Sequence, residues 1–178
     1  MFVVVISGPI ASGKSALSRA VAARLEEVEE IATAVIDLDL VYEMLDVHGG
    51  HKGDDRRWEA ARRGTAGLAD RFLAAGIDVV VVEGEFDGAA RGVFAADVGD
   101  RAAPRFVTLT VSYEEAYRRA RADPTRGLSR DPAFLWPWFQ EYLRAAAGEA
   151  ATDLVLDTER LSIDRCVEAI VGLAFGRP

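Results

Sequence analysis

An apolar run, Phe2–Ile6, leads straight into SGPIASGKSAL, Ser7–Leu17, and this junction constrains the fold more than any other stretch of the chain. Gly8-Pro-Ile-Ala-Ser-Gly13-Lys14-Ser15 fits the spacing G-x-x-x-x-G-K-[ST], with the required apolar strand before it and an amphipathic helical pattern after it. Each residue type has a chemical reason. A loop can wrap a triphosphate closely only where side chains are missing, hence Gly8 and Gly13. The amides from Ala11 and Ser12 through Gly13, Lys14, Ser15 and Ala16 then converge on the phosphates at the positive end of the next helix. Lys14 adds a full charge at the β/γ oxygens, and the Ser15 hydroxyl is placed to ligate Mg²⁺. The junction reads as a nucleoside-triphosphate site.

Composition narrows the classes around that site. The 178 residues, half of them hydrophobic, suffice for one domain with a real core and are short for two. A net charge of −8 repels nucleic acid unless a local basic face overrides it, so no nucleic-acid partner is expected. The single cysteine, Cys166, forms no internal disulfide, and the apolar opening run is shorter than a secretory core and lacks a basic flank. A reducing cytoplasmic setting is expected. No apolar run approaches the roughly 20 residues of a membrane span. The chain contains no asparagine, so it cannot supply the Asn-Lys-x-Asp segment with which GTPases read guanine.

Five nearly continuous β-branched runs, Phe2–Ile6, Ala34–Ile36, Ile77–Val82, Phe106–Val111 and Leu154–Leu156, have the character of parallel strands covered on both faces. Helical patterns separate them: Lys14–Glu30, Arg57–Ala75 stopped by Gly76, a helix opened by the capping-box spacing of Ser112–Glu115 and ended by Pro124, and a last helix with the stripe Ile163, Cys166, Val167, Ile170 and Leu173. Cys166 is expected to pack in the core. The alternation predicts an α/β fold with a mainly parallel sheet and helices on both faces.

Three further segments carry parts needed for phosphoryl transfer. The second strand ends in VIDLDLVYEML, which brings Asp37 and Asp39 to the carboxyl edge of the sheet, where ligands of open α/β sheets sit. Residues two apart on an extended segment face the same way, so the two carboxylates are expected to share one site. Asp39 would accept or orient the acceptor hydroxyl's proton and Asp37 would hold a water on Mg²⁺; the competing role for Asp39 is a helix cap. The third strand finishes in Glu83-Gly84-Glu85, and Glu83 is the candidate for reaching Mg²⁺ through water, against a merely solvated strand end; Asp87 is expected in a loop. YRRARADPTRGLSRDP gathers Arg118, Arg119, Arg121, Arg126 and Arg130, where a mobile segment can close on a triphosphate. Arg119 and Arg126 are the candidates, with Glu114 and Glu115 expected to hold one or two of the five.

Together, GPIASGKS, DLD after strand two and RRARADPTR after strand four resemble the shikimate kinase and gluconate kinase branch of the P-loop small-molecule kinases, and more loosely antibiotic phosphotransferases of similar size. The resemblance covers nearly the whole chain. It implies a three-layer P-loop NTPase fold with a five-stranded parallel sheet in order 2-3-1-4-5, a substrate-binding segment over residues 38–76 and an arginine-rich lid over 118–135, all in a single domain, 1–178. It implies ATP as donor, Mg²⁺ as cofactor, and transfer of the γ-phosphoryl group to a hydroxyl of a small molecule. Asp39 then matches the acid that meets the acceptor hydroxyl, and Arg119 and Arg126 match the adenine-contacting and phosphate-contacting lid arginines. Lys14, Asp39 and Arg126 would carry the transfer. DDRRWE, Asp54–Glu59, resembles the acceptor-binding segments of both families and makes Arg56 the candidate anchor. Where shikimate kinases carry three glycines after strand three this chain has EGE, so Glu83 or Glu85 would face the acceptor. The loop VHGGHKGDDRRW matches neither family; His48 and His51 in it read as a surface loop or as substrate contacts. Trp136, Trp138 and Phe139 read as acceptor-pocket lining or as the packing face of a lid helix, with Pro137 in its first turn. The competing functions are a nucleoside or nucleotide kinase, an antibiotic phosphotransferase, and a non-catalytic ATP-dependent regulatory module.

Overall fold

The computed structural model describes residues 1–49, 53–146 and 152–176. Five parallel strands, β1 (Phe2–Ser7), β2 (Thr33–Asp37), β3 (Val79–Gly84), β4 (Pro104–Thr110) and β5 (Leu154–Asp157), form one sheet in the order β2-β3-β1-β4-β5. The apolar runs are continuous because both faces of the central strands are covered. Val3, Val5, Val80 and Val82 point into one core with α2 (Leu38–Leu45), α3 (Asp55–Ala74) and α4 (Gly88–Asp97). Val4, Ile6, Val79 and Val81 point into the other, with α1 (Lys14–Glu29) and α7 (Ile163–Phe175). Each fully buried valine of this kind contributes roughly 1.5–3 kcal/mol. Cys166 is buried in the second core, as its place in the helical stripe predicts.

A third apolar cluster joins α5 (Tyr113–Ala122) and α6 (Pro132–Ala146) to the loop after β1, through Ala116, Ala120, Leu135 and Phe139 against Ile10 and Ala11. Trp138 packs with this cluster and stacks on Tyr142, while Trp136 is exposed and meets Tyr113 edge-on. Phe139 and Trp138 thus pack α6 against α5 and the loop after β1. Pro137 is the sixth residue of α6, not in its first turn; Pro132 takes the first position, where a missing N–H is harmless. Asp87, expected in a loop, caps α4 by accepting from the Ala90 amide at 2.8 Å. Helix α3 begins two residues before the expected Arg57 because Asp54 caps it, accepting from the amides of Arg56 and Arg57. No helix among the described residues is long and apolar enough to cross a membrane.

The ends of β2 and β3 are locked together. Asp37 is in register with Glu83, and Leu38, the fully buried first residue of α2, lies so close to Gly84 that a Cβ there would stand 2.6 Å from the Leu38 Cβ. Only glycine fits. Gly84→Ala is therefore expected to cost about 1–3 kcal/mol, the usual penalty of overpacking, and to displace the start of α2. Urea unfolding of the variant checks this, and an unchanged midpoint contradicts it.

Candidate active site

The loop between β1 and α1 is shaped by two tight features. Gly8 lies against β4, where a side chain would meet the Leu109 Cβ and carbonyl oxygen and the Ser12 Oγ, each at 2.9 Å. Gly13 stands at φ +95° and Ala11 at +60°, both in the left-handed region. Gly13 is also the N-cap of α1, where no side chain caps the helix and no acid occupies its first turn. The first amides of α1 and the positive end of its dipole are thus left for an anion. The Lys14 ammonium donates to the carbonyl oxygens of Gly8 (2.7 Å) and Pro9 (3.0 Å). Burial holds Lys14 below the usual lysine value, partly offset by the carboxylates of Asp39, Glu85 and Glu83, while Arg126 pushes it further down. Residues from three other segments therefore share one field with this lysine.

The two aspartates of DLD do not form the extended pair expected of them. The chain turns helical at Leu38, so Asp37 ends the strand and caps α2, accepting from the Asp39 amide at 2.9 Å, and Asp39 lies exposed in the first turn of α2. The cap is Asp37, not Asp39. Beside Asp37 in the sheet, Glu83 is only 3 % exposed and is hydrogen-bonded to the Ser15 hydroxyl. Burial pushes its carboxyl above the usual range; the Ser15 bond, Lys14 and Arg19 pull it back, and the neighbouring Asp37 raises it. Ser15, Glu83 and Asp37 are hard oxygen donors at the mouth of the phosphate loop, and this donor set suits Mg²⁺ held partly through water and phosphate oxygens. Among the described residues no three His, Cys, Asp or Glu side chains converge as a self-sufficient metal site, so an ion here would depend on the nucleotide.

The arginines divide their work. Glu115 accepts from both Arg118 (2.6 Å) and Arg119 (2.7 Å), which lowers its pKa to about 2. Glu115 is therefore not free to return the second bond of a capping box. Ser112 accepts from the Glu115 amide, while its own amide donates to Glu159. Arg121 lies over the Tyr117 ring. Arg119 continues past Glu115 to the Thr158 carbonyl (2.7 Å) and hydroxyl (3.1 Å), clamping α5 to the turn after β5. Between that clamp and α1 lies a cavity of about 130 Å³ lined by Ser12, Gly13, Ala16, Arg119, Thr158 and Cys166. It is mostly apolar and adjacent to the phosphate loop. Arg126 pairs with Asp123 (3.2 Å) on the turn beyond α5 and reaches the field of Lys14.

Arg56 is exposed and lines a separate cavity of about 450 Å³ with Leu45, Asp54, Arg57 and Ala60, away from the residues around Lys14. Arg57 ties α3 to Asp46 and Asp54. The arginine of α3 that faces the end of β3 is Arg62, whose Nε donates to the Glu85 carbonyl at 3.4 Å and whose guanidinium lies over Trp58. Sequence reasoning missed Arg62 and Thr158. Arg62 lies six residues, nearly two helical turns, beyond Arg56, and Thr158 follows the fifth strand at the same sheet edge as the other site residues. His48 is exposed, and His51 lies outside the described residues.

A family model described as AAA domain matches residues 3–131. Among solved structures the chain is similar to a sugar kinase from a Janibacter species, with 21% identity, a TM-score of 0.70 and coverage of 99% of this chain and 95% of that one. It is also similar to a gluconokinase from Sinorhizobium meliloti, with 20% identity, a TM-score of 0.64 and coverage of 98% and 94%. A third likeness is to a Mycobacterium tuberculosis APS kinase in complex with AMPPNP and APS, with 21% identity, a TM-score of 0.64 and coverage of 97% and 96%. Likeness at this level shows the fold. No curated protein matches the sequence.

Glu83→Gln retains an acceptor for the Ser15 hydroxyl and removes a buried charge. A carboxyl whose folded pKa stands above its ordinary value of 4.5 destabilises the fold as it ionises, a penalty absent below that value and growing as pH rises through the folded pKa. The ligand-free variant is expected to melt above the unaltered protein near neutral pH, with the gap closing as pH falls toward 4.5. Scanning calorimetry across that range checks the sign, and a lower melting temperature near neutral pH contradicts it.

Proposed function

The chain belongs to the AAA domain family, and on that premise we propose that it is an ATP-dependent kinase, transferring the γ-phosphoryl group to a hydroxyl of a small-molecule acceptor. One observation carries this reading. The Lys14 ammonium stands in a common field with Asp39 on α2, Glu83 and Glu85 at the end of β3, and Arg126 from the segment after α5. A site that only held nucleotide would have no use for an acid on the acceptor side of the lysine. The apolar slot beside Arg119 takes the base, and the loop amides take the triphosphate as Lys14 exchanges its two carbonyl partners for phosphate oxygens. Ser15, with Glu83 and Asp37 behind it through water, would hold Mg²⁺, which neutralises phosphate charge when bound. Asp39, in the first turn of α2, orients the acceptor hydroxyl and receives its proton. Arg126, tethered to Asp123, neutralises the charge that develops on the transferred group.

Residues 38–76 form the acceptor segment and 118–135 the lid in this reading, and the chain works in the cytoplasm without nucleic-acid or membrane partners. Lys14→Ala is expected to lower turnover by about a hundredfold or more, the scale of losing a charge stabiliser of the transition state. Its ATP binding heat should fall as well; normal turnover would remove the loop from the chemistry. Asp39→Asn is expected to keep ATP binding while cutting acceptor-stimulated ADP release by about a hundredfold or more. Equal ADP release would reduce Asp39 to a structural residue, and an absence of acceptor-stimulated ADP across sugars, nucleosides and antibiotics would favour a regulatory module.

A further inference from the structure

Arg91 is 2 % exposed, on the inner face of α4 between the apolar Ala90 and Phe94. Burying a guanidinium is costly, and an apolar side chain would pack α4 onto β4 without that cost. What arginine adds is a rigid fork of donors that reaches two acceptors at once. Its Nε donates to the Phe86 carbonyl at 3.1 Å and its Nη2 to the Thr108 hydroxyl at 2.8 Å, while the guanidinium lies 5.5 Å over the Phe106 ring.

Those two acceptors stand on opposite sides of β1. Ser7, the last residue of β1, is in register with Thr108 on β4 and with Gly84 on β3, two positions before Phe86. The Ser7 hydroxyl accepts from the Phe86 amide at 3.0 Å and donates to the Phe86 carbonyl at 3.4 Å, so both backbone groups of Phe86 are held. The preceding carbonyl, that of Glu85, accepts from Arg62 of α3. On the far side the Thr108 hydroxyl donates to that of Thr152, which lies against the carbonyls of Phe106 and Leu154. One buried chain of hydrogen bonds thus crosses the sheet from the turn after β3 to the start of β5, passing directly beneath Gly8. The turn it holds also carries Glu85, whose carboxyl lies within the field of Lys14.

We infer that Arg91 is a positioning residue of this site: from α4 it ties the Glu85–Phe86 turn to β4 across the end of β1, and so sets the distance between that wall of the site and the phosphate loop. The inference rests on the kinase reading, in which the turn borders the acceptor. Arg91 touches neither substrate. It acts through Phe86, and a displacement of about 1 Å between reacting groups is enough to lower a rate about a hundredfold.

The test uses the full chain with Mg-ATP and glucose, gluconate, shikimate, adenosine and kanamycin as acceptors, the one that most stimulates ADP release being carried through the variants. Thr108→Val keeps the side-chain shape and removes the anchor on β4. It is expected to lower kcat about tenfold or more while the ATP dissociation constant, from binding heat, stays within about twofold. Arg91→Lys, which keeps the charge but not the fork, is expected to move kcat the same way. The double variant should be little worse than the weaker single one, because both changes break one link. Asp97→Ala releases the outer end of α4 from Arg63 and is expected to leave kcat unchanged. Should Arg91→Lys fail to fold, Thr108→Val decides. A normal kcat in Thr108→Val, a loss of kcat matched by a loss of ATP affinity, or an equal loss in Asp97→Ala overturns the inference alone. ATP binding with no stimulation by any acceptor overturns the proposed function, and the inference with it.

Discussion

The architecture depends on a helix start that is deliberately left incomplete. At the amino end of α1 there is no side-chain cap and no acid, and the residue in the cap position is a glycine with positive φ. Elsewhere the chain caps its helices with ordinary means: Asp37, Asp54, Asp87, Ser112 and Ser162 each accept from a backbone amide. The exception stands at the loop that leaves β1, beside Glu83 at the end of β3. Helix α1 is held instead by its buried stripe, Leu17, Val21 and Leu25, packed into the core it shares with α7. Packing therefore offsets what the missing cap leaves out, and the unsatisfied amides remain available.

Much of this was legible from residue pattern because it follows from local rules. Strand runs with no polar alternation need cover on both faces, and the valines of β1 and β3 divide between two cores as that rule requires. The phosphate loop was legible because its glycines answer to a close approach: Gly8 has Leu109 against it. What residue pattern does not place has another origin. Asp37 and Asp39 were paired by strand periodicity, but the strand ends at Asp37 because Leu38 must drop onto Gly84, a contact between residues 46 positions apart. Arg56 stood in the segment resembling an acceptor site, but a helix carries successive residues around its axis, and Arg62 comes out facing Glu85. Sequence spacing places side chains along an element; only the packing of that element decides which of them reaches the site.

The arginine-rich segment after β4 illustrates how charge that looks redundant is partitioned. Five arginines in an acidic chain suggest a phosphate grip, but Glu115 engages two of them and Tyr117 a third. Arg119 serves both Glu115 and the turn at Thr158, so it fixes one wall of the apolar slot without being solely a cation for phosphate. Arg126 is different. Its partner Asp123 is partly exposed, and an exposed pair of this kind is worth little, so a phosphate can compete for the guanidinium. Helices α5 and α6 and the loop after β1 are meanwhile packed together, since Ile10 and Ala11 belong to the same apolar cluster as Ala116, Leu135 and Phe139.

Burial sets the charged groups of the site at a cost, and that cost has a direction. Desolvation pushes the Lys14 ammonium toward its neutral form and the Glu83 and Glu85 carboxyls toward theirs, so each group is poorly solvated in the form chemistry needs. The lysine turns inward onto two loop carbonyls, and Glu83 turns to Ser15. A triphosphate would relieve the lysine with anionic oxygens, and a divalent ion beside it would relieve the buried carboxylate.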